Sequence, residues 1–520
     1  MDRDCATQNR ILAGLIAFLL SVCPASAVEP SDPLEGIDAY VQSALADWQT
    51  PGLAVAIIKE GKVVLARGYG TRRAGENSPV DEQTIFPIAS VTKVFTATSL
   101  ALLVEEGTLQ WNDPVVKHLP EFELYDPFLT KDVRIDDLVS HRVGLETADL
   151  LAYRGDYDRA EILRRLRFLQ PVTPFRSKFG YHNHMVTTAG AVLERVSGKN
   201  WEDVIRTRLL KPLEMNATFA DPRELVGREN VATPHLLLEG KLIADPLWNR
   251  EASPEGFRRL HAAVAPAGAM QSNVIDMAKF LQMFLDEGAV EGKPLLKPAT
   301  VRTMLAPHSM VPIKASPQPN LVYPQFFYGG GLGWQLRDLR GHKIVMHGGS
   351  SGAVVAMLPE ERIGVVVLAN RGCGIVYMFM HDLFARMLGL PRAWSNHDWL
   401  VEAEETPAKE AAAKNSRLEA GRKKDTKPSL PLANYGGTYE CDLYGKLEVS
   451  ERDGTLRLQF GPNIAGAMHH WENDTFRSKL SFPQGEEWLV RFQVSSASTQ
   501  SLRVERLSWN EPMPEFRRTE

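Results

Sequence analysis

The chain has 520 residues, several times the usual size of one domain, so we predict more than one folded unit. Its 44% hydrophobic and 24% charged residues are typical of an ordinary globular protein, and they exclude a disordered chain, a collagen and a multi-span membrane protein. A formal net charge of -5 does not indicate a nucleic-acid-binding surface, and four cysteines are too few for a disulfide scaffold.

The first 27 residues have the layout of a secretory signal peptide. Arg3 and Arg10 lie in a polar head, an apolar run covers residues 11–22, and the small residues Ala25-Ser26-Ala27 follow. This run is shorter than the roughly 20 residues that a membrane-spanning helix requires. We therefore predict cleavage after Ala27 and a periplasmic or secreted chain without a stable membrane span. A permanent N-terminal anchor is the alternative.

Residues 28–395 alternate helical and strand patterns, which predicts one α+β domain. Two apolar, β-branched runs at 52–58 and 62–66 predict a hairpin near its start. Similar runs at 353–358 and 363–368 predict a second hairpin near its end. We therefore expect a sheet that is built from both ends of the domain.

Helical patterns fill the middle of this domain. They cover residues 91–106 and 185–196 among other stretches, and Ser197-Gly198 closes the second as a typical helix stop. A sheet assembled around such a helical middle is an α+β arrangement of layers.

The composition changes after the α+β domain. Residues 396–429 carry much charge and have little to bury, which predicts a solvated helix or linker. Residues 430–520 alternate short strand-like runs with Gly, Asp and Asn turns, which predicts a small all-β barrel or sandwich. Cys373 and Cys441 remain after cleavage; we expect them in different domains and do not expect them to pair by default.

One pair of residues, at the start of the helix predicted for 91–106, can carry nucleophilic chemistry. Ser90 and Lys93 are neighbours on one helical face, one turn apart. A serine at a helix N-terminus lies among outward-pointing backbone N–H groups, which stabilise a developing alkoxide or oxyanion. A lysine one turn later can accept the serine proton if burial lowers its pKa. A helix cap at Ser90 and a surface position for Lys93 are the alternative, which the pair alone does not exclude.

Two further motifs accompany this pair. Tyr181-His182-Asn183 precedes the predicted helix at Met185, and His347-Gly348-Gly349 ends a predicted strand. Ser-x-x-Lys, Tyr-x-Asn and a strand-end His-Gly-Gly, in this order, resemble the serine β-lactamase and penicillin-binding-protein superfamily. The Tyr-x-Asn form is similar to its class C-like, CubicO-type branch.

The resemblance covers roughly residues 34–390, and the β domain is similar to the lipocalin-like module often appended to this branch. Several flanking segments also look like that family: Phe86-Pro87-Ile88-Ala89, 138–145, 175–179, 212–215, 266–270 and Asn370. The resemblance implies a β-lactamase/transpeptidase-like fold, which is an antiparallel sheet flanked by helices with an all-helical subdomain.

The resemblance and the chemistry together imply the catalytic roles of three residues. Ser90 would be the nucleophile that forms an acyl-enzyme. Lys93 and Tyr181 would exchange its proton, and one of them would pass a proton to the leaving group. The sequence leaves open which of the two is the resting base.

The remaining motif residues are assigned to substrate and oxyanion contacts in the same way. Asn183 would hydrogen-bond both the substrate amide and Lys93. The backbone N–H groups of the nucleophile and of Ser350 would form the oxyanion hole. Gly348 and Gly349 fit a strand edge that the substrate backbone approaches closely.

The third motif departs from the family's most familiar form. In β-lactamases and transpeptidases it usually begins with lysine, a fixed cation that faces the substrate carboxylate. His347 is charged only in part at neutral pH, although it can still donate a hydrogen bond. His-x-Gly resembles the esterase, D-aminopeptidase and general peptidase members. We therefore predict an exported acyl hydrolase that acts on esters or small peptides. A β-lactamase or D,D-carboxypeptidase acting on peptidoglycan-type substrates and a catalytically silent binding protein are the alternatives.

Other signals favour structural interpretations. The run Gly348–Gly352 matches Gly-x-Ser-x-Gly, but a predicted strand follows it, so Ser350 is not expected to be the nucleophile. His182 and His184 have no further ligands at useful spacing, and we predict neither a metal nor a cofactor. His141 is expected to be a structural, hydrogen-bonding residue near the cleft.

The expected partner is a small-molecule ester or peptide substrate, and no nucleic acid is expected. The segments Asp149–Phe175 and Val311–Phe327 are expected to determine the substrate. The β domain is expected to cover the cleft, to hold partner chains together or to bind cell-wall material. A monomer and a homo-oligomer are both compatible with the sequence.

Overall fold

The structure, a computed structural model, describes residues 32–245, 247–248, 255–311, 327–392, 394–483, 485–495, 498–507 and 513–519. The signal peptide predicted for residues 1–27 lies outside them, as do residues 312–326 of the predicted Val311–Phe327 segment. Within the described residues the chain forms an antiparallel sheet with helices on both faces, then a linking helix and a closed β-barrel.

The strands of the first domain form one large antiparallel sheet and three short two-stranded ladders. In chain order they are β1 (Gly52–Lys59), β2 (Lys62–Gly70), β3 (Phe86–Pro87), β4 (His235–Leu238), β5 (Lys241–Ala244), β6 (Gln271–Ser272), β7 (Ala289–Val290), β8 (Lys293–Pro294), β9 (Ser309–Met310), β10 (Gly329–Gly330), β11 (Gln335–Leu339), β12 (His342–Gly349), β13 (Ala353–Leu358) and β14 (Ile363–Ala369). The order in the large sheet is β2-β1-β14-β13-β12-β11-β10-β9.

Helices cover this sheet and fill the middle of the domain. They are α1 (Ile37–Asp47), α2 (Thr92–Glu105), α3 (Val115–His118), α4 (Pro127–Asp132), α5 (Ile135–Val139), α6 (Leu150–Tyr153), α7 (Arg159–Arg165), α8 (Asn183–Ser197), α9 (Trp201–Ile205), α10 (Glu255–Ala263), α11 (Ala265–Gly268), α12 (Val274–Leu285), α13 (Pro298–Met304) and α14 (Ile375–Met387). Those from α2 to α9 follow one another with little intervening strand, so they form the expected helical part.

Both predicted hairpins are present. β1 pairs with β2, with Leu53 opposite Tyr69, and β13 pairs with β14, with Ala353 opposite Leu368. β1 also pairs with β14 along its length, so the two ends of the domain meet inside the sheet. The α+β expectation is confirmed by this ladder.

The central strands are buried on both faces because helices cover both sides of the sheet. On β1, Leu53, Val55 and Ile57 join a core cluster with α1 and α14, whereas Ala54 and Ile58 join a second cluster with α2 and α12. A strand that is covered on both sides reads as one continuous apolar run, which is the pattern the sequence shows.

The helix that carries Ser-x-x-Lys is buried almost all round. A 3-10 turn at Ala89–Val91 precedes it, so α2 begins at Thr92, one residue after the predicted start. Such an apolar helix belongs in the interior of a domain. Lys93 therefore lies on a helix of the domain core, directly after the turn that contains Ser90.

The helix after the Tyr-x-Asn motif starts two residues before its predicted beginning. α8 begins at Asn183 because the ring of His182 caps it, accepting a hydrogen bond at Nδ1 from the Met185 N–H. It ends as predicted at Gly198, which has φ of 68° in the left-handed region.

Beyond the first domain, charged helices lead to an all-β unit. The linking elements are α15 (Asn396–Leu400), a π-helical turn (Val401–Glu405) and α16 (Thr406–Gly421). The barrel strands are β15 (Gly437–Cys441), β16 (Gly445–Arg452), β17 (Thr455–Phe460), β18 (Ile464–Glu472), β19 (Thr475–Leu480), β20 (Glu487–Val494), β21 (Thr499–Arg506) and β22 (Phe516–Arg518). Burial alternates along β16, where Leu447 and Val449 point inward. β15 pairs with both β16 and β22, so the expected β unit is a closed barrel.

Two further points concern the described part of the chain. None of its helices combines the length and the apolar character needed to cross a bilayer. Cys373 and Cys441 are both free thiols, one half-buried and one buried.

Candidate active site

Ser90 lies in the 3-10 turn that leads into α2, and its hydroxyl meets the side chain of Lys93. The Lys93 Nζ lies 3.0 Å from the Ser90 Oγ and donates a second hydrogen bond of 2.7 Å to the backbone oxygen of Ala267. Ala89, just before the serine, has φ of 42° in the left-handed region that L-residues rarely adopt. Ser90 therefore sits on a strained turn, within hydrogen-bonding distance of an amine.

Lys93 is completely buried, which excludes the surface position considered for it. Burial lowers the pKa of the Lys93 ammonium to about 7, while the negative charge of Asp149 acts in the opposite direction. A lysine with such a pKa is present in large part as the free amine at neutral pH. A free amine can accept the proton of a neighbouring hydroxyl.

Tyr181 packs between Lys93 and a buried histidine. Its ring centroid lies 4.9 Å from the Lys93 Nζ and 4.6 Å from the ring centroid of His141. Burial raises the pKa of the Tyr181 phenol well above its usual value, whereas a side-chain hydrogen bond with Ser90 acts in the opposite direction. The resting site therefore contains a neutral phenol close to the serine and the lysine.

Asn183 is the first residue of α8, and its amide bonds a carboxylate. Its Nδ2 donates a hydrogen bond of 2.9 Å to Asp149 Oδ1. The two hydrogen bonds of Lys93 go to Ser90 and Ala267, so the bond expected between Asn183 and Lys93 is not formed in the described site. The partner of the Asn183 amide is Asp149 instead of Lys93.

His347 is a neutral imidazole that donates a hydrogen bond to the backbone. Its Nδ1 lies 2.8 Å from the backbone oxygen of Gly348, and because a carbonyl can only accept, Nδ1 carries the proton. Burial and then the charge of Lys93 lower the pKa of His347 to about 3. Its Nε2 is buried and has no hydrogen-bond partner among the described residues. His347 is therefore uncharged rather than charged in part, and the hydrogen bond that it donates goes to the backbone oxygen of Gly348.

The end of β12 leaves one backbone edge open. Within the described chain, β11 pairs with β12 as far as Met346, whereas β13 continues to Gly349. Packing within the protein also requires glycine at positions 348 and 349, because neighbouring atoms leave no room for a side chain. A Cβ added to Gly348 would lie 2.0 Å from Tyr377 Oη, and one added to Gly349 would lie 2.3 Å from the backbone oxygen of Ile88.

The turn after β12 lies beside the segment that precedes Ser90. Ser350 is exposed in this turn, and the hydroxyl of Ser351 donates a hydrogen bond of 2.6 Å to the backbone oxygen of Pro87. The close approach of Gly349 to the backbone oxygen of Ile88 also holds this turn against the segment that precedes Ser90. The turn leads into the strand β13 rather than a helix, so it lacks the strand-to-helix geometry of a Gly-x-Ser-x-Gly elbow.

Replacing Gly349 by alanine is expected to destabilise the protein by about 1–3 kcal/mol and to reduce activity, because the new methyl group meets a backbone oxygen that cannot move freely. Urea unfolding and ester turnover measure the two effects. Gly180→Ala is the matched control, since a Cβ there meets nothing within 4 Å and no left-handed φ is imposed. Equal stability and equal turnover for the two variants would contradict the close approach of Gly349 to the backbone oxygen of Ile88.

The histidines around the site are buried. His141 accepts a hydrogen bond of 3.1 Å at Nδ1 from the backbone N–H of His182, and His184 Nε2 lies 3.1 Å from the backbone oxygen of Ala148. Burial lowers the pKa of all three histidines. In the described residues, no set of three or more His, Cys, Asp and Glu side chains is arranged to hold a metal ion.

The sequence did not identify Asp149, Ala267 or Tyr377 as site residues. Asp149 opens the predicted substrate-determining segment Asp149–Phe175, which contains α6 and α7 and is therefore partly helical. An isolated acid in such a segment has no motif that marks it. Ala267 contributes a backbone oxygen, which no side-chain pattern reveals.

Comparison with protein families gives two matches along the chain. A family model described as Beta-lactamase matches residues 37–386. A model described as Domain of unknown function (DUF3471) matches residues 421–519, which include the barrel.

Named relatives extend this similarity. Unguisins hydrolase ungD of Aspergillus violaceofuscus is 27% identical over 492 residues, which are 87% of this chain and 84% of the relative. Penicillin-binding protein 4 of Amycolatopsis lactamdurans is 29% identical over 350 residues, which are 66% of this chain and 86% of the relative.

Two solved structures share the fold. The octameric penicillin-binding protein homologue from Pyrococcus abyssi superposes with a TM-score of 0.59 at 23% identity, covering 90% of this chain and 97% of its own. EstCE1, a hydrolase with promiscuous acyltransferase activity, superposes with a TM-score of 0.53 at 21% identity, covering 65% of this chain and 94% of its own.

Proposed function

The chain belongs to the Beta-lactamase family, and from this membership we propose that it is an exported serine hydrolase that cleaves esters and small-peptide amides through an acyl-enzyme on Ser90. The observation that carries the proposal is the placement of the Ser90 Oγ at 3.0 Å from the Nζ of a buried lysine. The pKa of that lysine, lowered to about 7, supports a working base rather than a catalytically silent fold.

Acylation begins on the Ser90 hydroxyl. Lys93 as free amine accepts the hydroxyl proton while the Oγ bonds the substrate carbonyl carbon, which gives a tetrahedral oxyanion. The backbone N–H groups of Ser90 and Ser350 stabilise that oxyanion. Tyr181 then gives its phenolic proton to the departing alcohol or amine, and Lys93 returns a proton to the phenolate. The C–O or C–N bond of the substrate breaks, leaving the acyl group on Ser90.

Deacylation repeats these steps with water in place of the leaving group. A water molecule loses a proton to the Lys93–Tyr181 pair and bonds the acyl carbon, and the bond to the Ser90 Oγ breaks as that oxygen regains a proton. Asn183 and the open edge of β12 hold the acyl chain.

The state of His347 supports neutral substrates. A lysine at this position would attract a carboxylate, whereas His347 is an uncharged imidazole. Unguisins hydrolase ungD and EstCE1 are both named as hydrolases, and we extend hydrolytic activity to this chain as part of the proposal.

A D,D-carboxypeptidase or β-lactamase is the second candidate, because penicillin-binding protein 4 of A. lactamdurans is among the relatives. Export with cleavage after Ala27 is part of the main proposal, on the layout of the first 27 residues. Assembly into a homo-oligomer is a further part, which the octameric state of the P. abyssi homologue supports by analogy of fold.

A matched substrate pair tests the choice between the two candidates. The enzyme is expected to hydrolyse D-Ala-D-alaninamide at least as fast as D-Ala-D-Ala, because His347 supplies no fixed positive charge for the terminal carboxylate. His347→Lys is expected to improve kcat/KM for the carboxylate form by about tenfold relative to the amide, the value of one charge-assisted hydrogen bond. p-Nitrophenyl esters confirm that the preparation is active. A strong preference of the parent for the carboxylate form, or rapid turnover of a chromogenic cephalosporin, would instead support the second candidate.

A further inference from the structure

The residues Ala148 and Asp149 are tied to the first turn of α8 on the catalytic side. His184 Nε2 donates a hydrogen bond of 3.1 Å to the Ala148 oxygen, and Asn183 Nδ2 donates one of 2.9 Å to Asp149. Ala148 has φ of 50°, a strained left-handed conformation for a residue with a side chain. Neighbouring contacts must therefore hold this backbone in place.

Asp149 supplies negative charge close to Lys93, whereas the histidines around this lysine are neutral. The groups that act on Lys93 or respond to its charge are Asp149, His141, His184 and His347. Burial lowers the pKa of each of these histidines, so at neutral pH their rings carry no charge. Tyr181 is a neutral phenol. Among the described groups, Asp149 is thus the one whose negative charge stabilises an ammonium on Lys93.

The other end of the same short helix contacts the barrel. The ring of Tyr153, the last residue of α6, lies 5.5 Å from the ring of Phe482, and Asn463 Nδ2 donates a hydrogen bond of 3.0 Å to the Tyr153 oxygen. Phe482 also packs at 4.8 Å against the ring of Phe257 in α10. Both Phe482 and Asn463 belong to loops between barrel strands.

A buried arginine secures this contact. Arg154, directly after α6, forms an ion pair with Asp156, donates to the backbone oxygen of Tyr444 and stacks its guanidinium 4.8 Å from the ring of Phe460. The backbones approach closely as well, since a Cβ added to Gly461 would lie 2.5 Å from the Arg154 oxygen. The buried apolar residues of the barrel and of the catalytic domain form one continuous cluster.

We propose that Asp149 is a positioning residue of the active site: it orients the Asn183 amide and stabilises the ammonium formed when Lys93 takes the serine proton. The C-terminal barrel holds Asp149 in the cleft through its contacts with α6. The proposal rests on the proposed acyl-enzyme function. It assigns the barrel a part in the reaction, because the barrel braces the helix that carries this carboxylate.

Two substitutions of Asp149 separate charge from orientation. Asp149→Asn keeps an oxygen that can accept from Asn183 but removes the charge. We expect the acid limb of the pH profile of kcat/KM to move about one unit lower and kcat at its plateau to fall about tenfold, with KM within about twofold. Asp149→Ala removes both functions, so KM for a peptide substrate is expected to rise about fivefold in addition. An acid limb that stays in place in Asp149→Asn overturns the role of the charge.

Two barrel substitutions test the bracing. Phe482→Leu and Asn463→Ala are expected to raise KM and lower kcat several-fold, in the direction of Asp149→Ala. Phe492→Leu is the matched control, because the aromatic contacts of Phe492 are with barrel residues, including Tyr435 and Phe476. Urea unfolding shows whether Phe482→Leu and Phe492→Leu lose comparable stability. Identical kinetics for these two variants, together with parental kinetics for Asn463→Ala, overturn the role of the barrel.

The failure of this inference is distinguishable from the failure of the proposed function. All the Asp149 and barrel variants retain Ser90 and are expected to be labelled by a fluorophosphonate. If Ser90→Ala stays active, the acyl-enzyme proposal is wrong. If Ser90→Ala is inactive while Asp149→Asn shows the parental pH profile, the positioning role alone is wrong.

Discussion

Replacing Ser90 by alanine is expected to lower kcat/KM for a p-nitrophenyl ester by about 10⁴-fold or more, because the acyl-enzyme has no other oxygen on which to form. Covalent labelling by a fluorophosphonate is expected to disappear at the same time. Intact-mass spectrometry of the labelled protein measures the adduct, and the release of p-nitrophenol from the ester measures the rate.

Ser99→Ala is the matched control for this experiment. Ser99 lies on α2, the helix that follows Ser90, and its buried hydroxyl has no hydrogen-bond partner among the described residues, so the methyl group is expected to be tolerated there. The variant is expected to be labelled and to turn over ester at the parental rate. Undiminished labelling of Ser90→Ala would place the nucleophile elsewhere.

The fold could be predicted where the information is local. The hairpin of β1 and β2 follows from two apolar runs around a short turn, and the stop of α8 follows from Gly198. The contact between Ser90 and Lys93 could be predicted for the same reason, since the two are three residues apart in the chain. The burial of Lys93 was expected only as a condition of the chemistry.

The rest of the site depends on contacts between segments that are distant in sequence. The protonation state of His347 follows from its burial and from a hydrogen bond to Gly348, which a sequence motif does not specify. Asp149 acquires its partner Asn183 only because the loop before α6 folds against α8. Sequence patterns predict the elements, but the electrostatics of a buried site depends on how those elements pack.

The kcat/KM of the parent is expected to fall tenfold per pH unit below an inflection near pH 7, because Lys93 must lose its proton before it can act as a base. Burial lowers the pKa of this group to about 7, so the active free amine dominates above that pH and the inactive ammonium below it. Lys93→Arg is expected to reduce kcat/KM by about 10³-fold across this range, since a guanidinium stays charged. A pH profile of ester hydrolysis for both proteins measures the effect.

The same profile decides between the two candidates for the resting base. Burial raises the pKa of the Tyr181 phenol, so a resting phenolate would produce an inflection at alkaline pH rather than near 7. Lys178→Arg serves as the matched control, because Lys178 is exposed only a few residues from Tyr181, and its profile is expected to equal that of the parent. An alkaline inflection in the parent, or a substantially active Lys93→Arg, would assign the base to Tyr181. An inflection near 7 that Lys93→Arg abolishes assigns it to Lys93, with the phenol as the proton carrier to the leaving group.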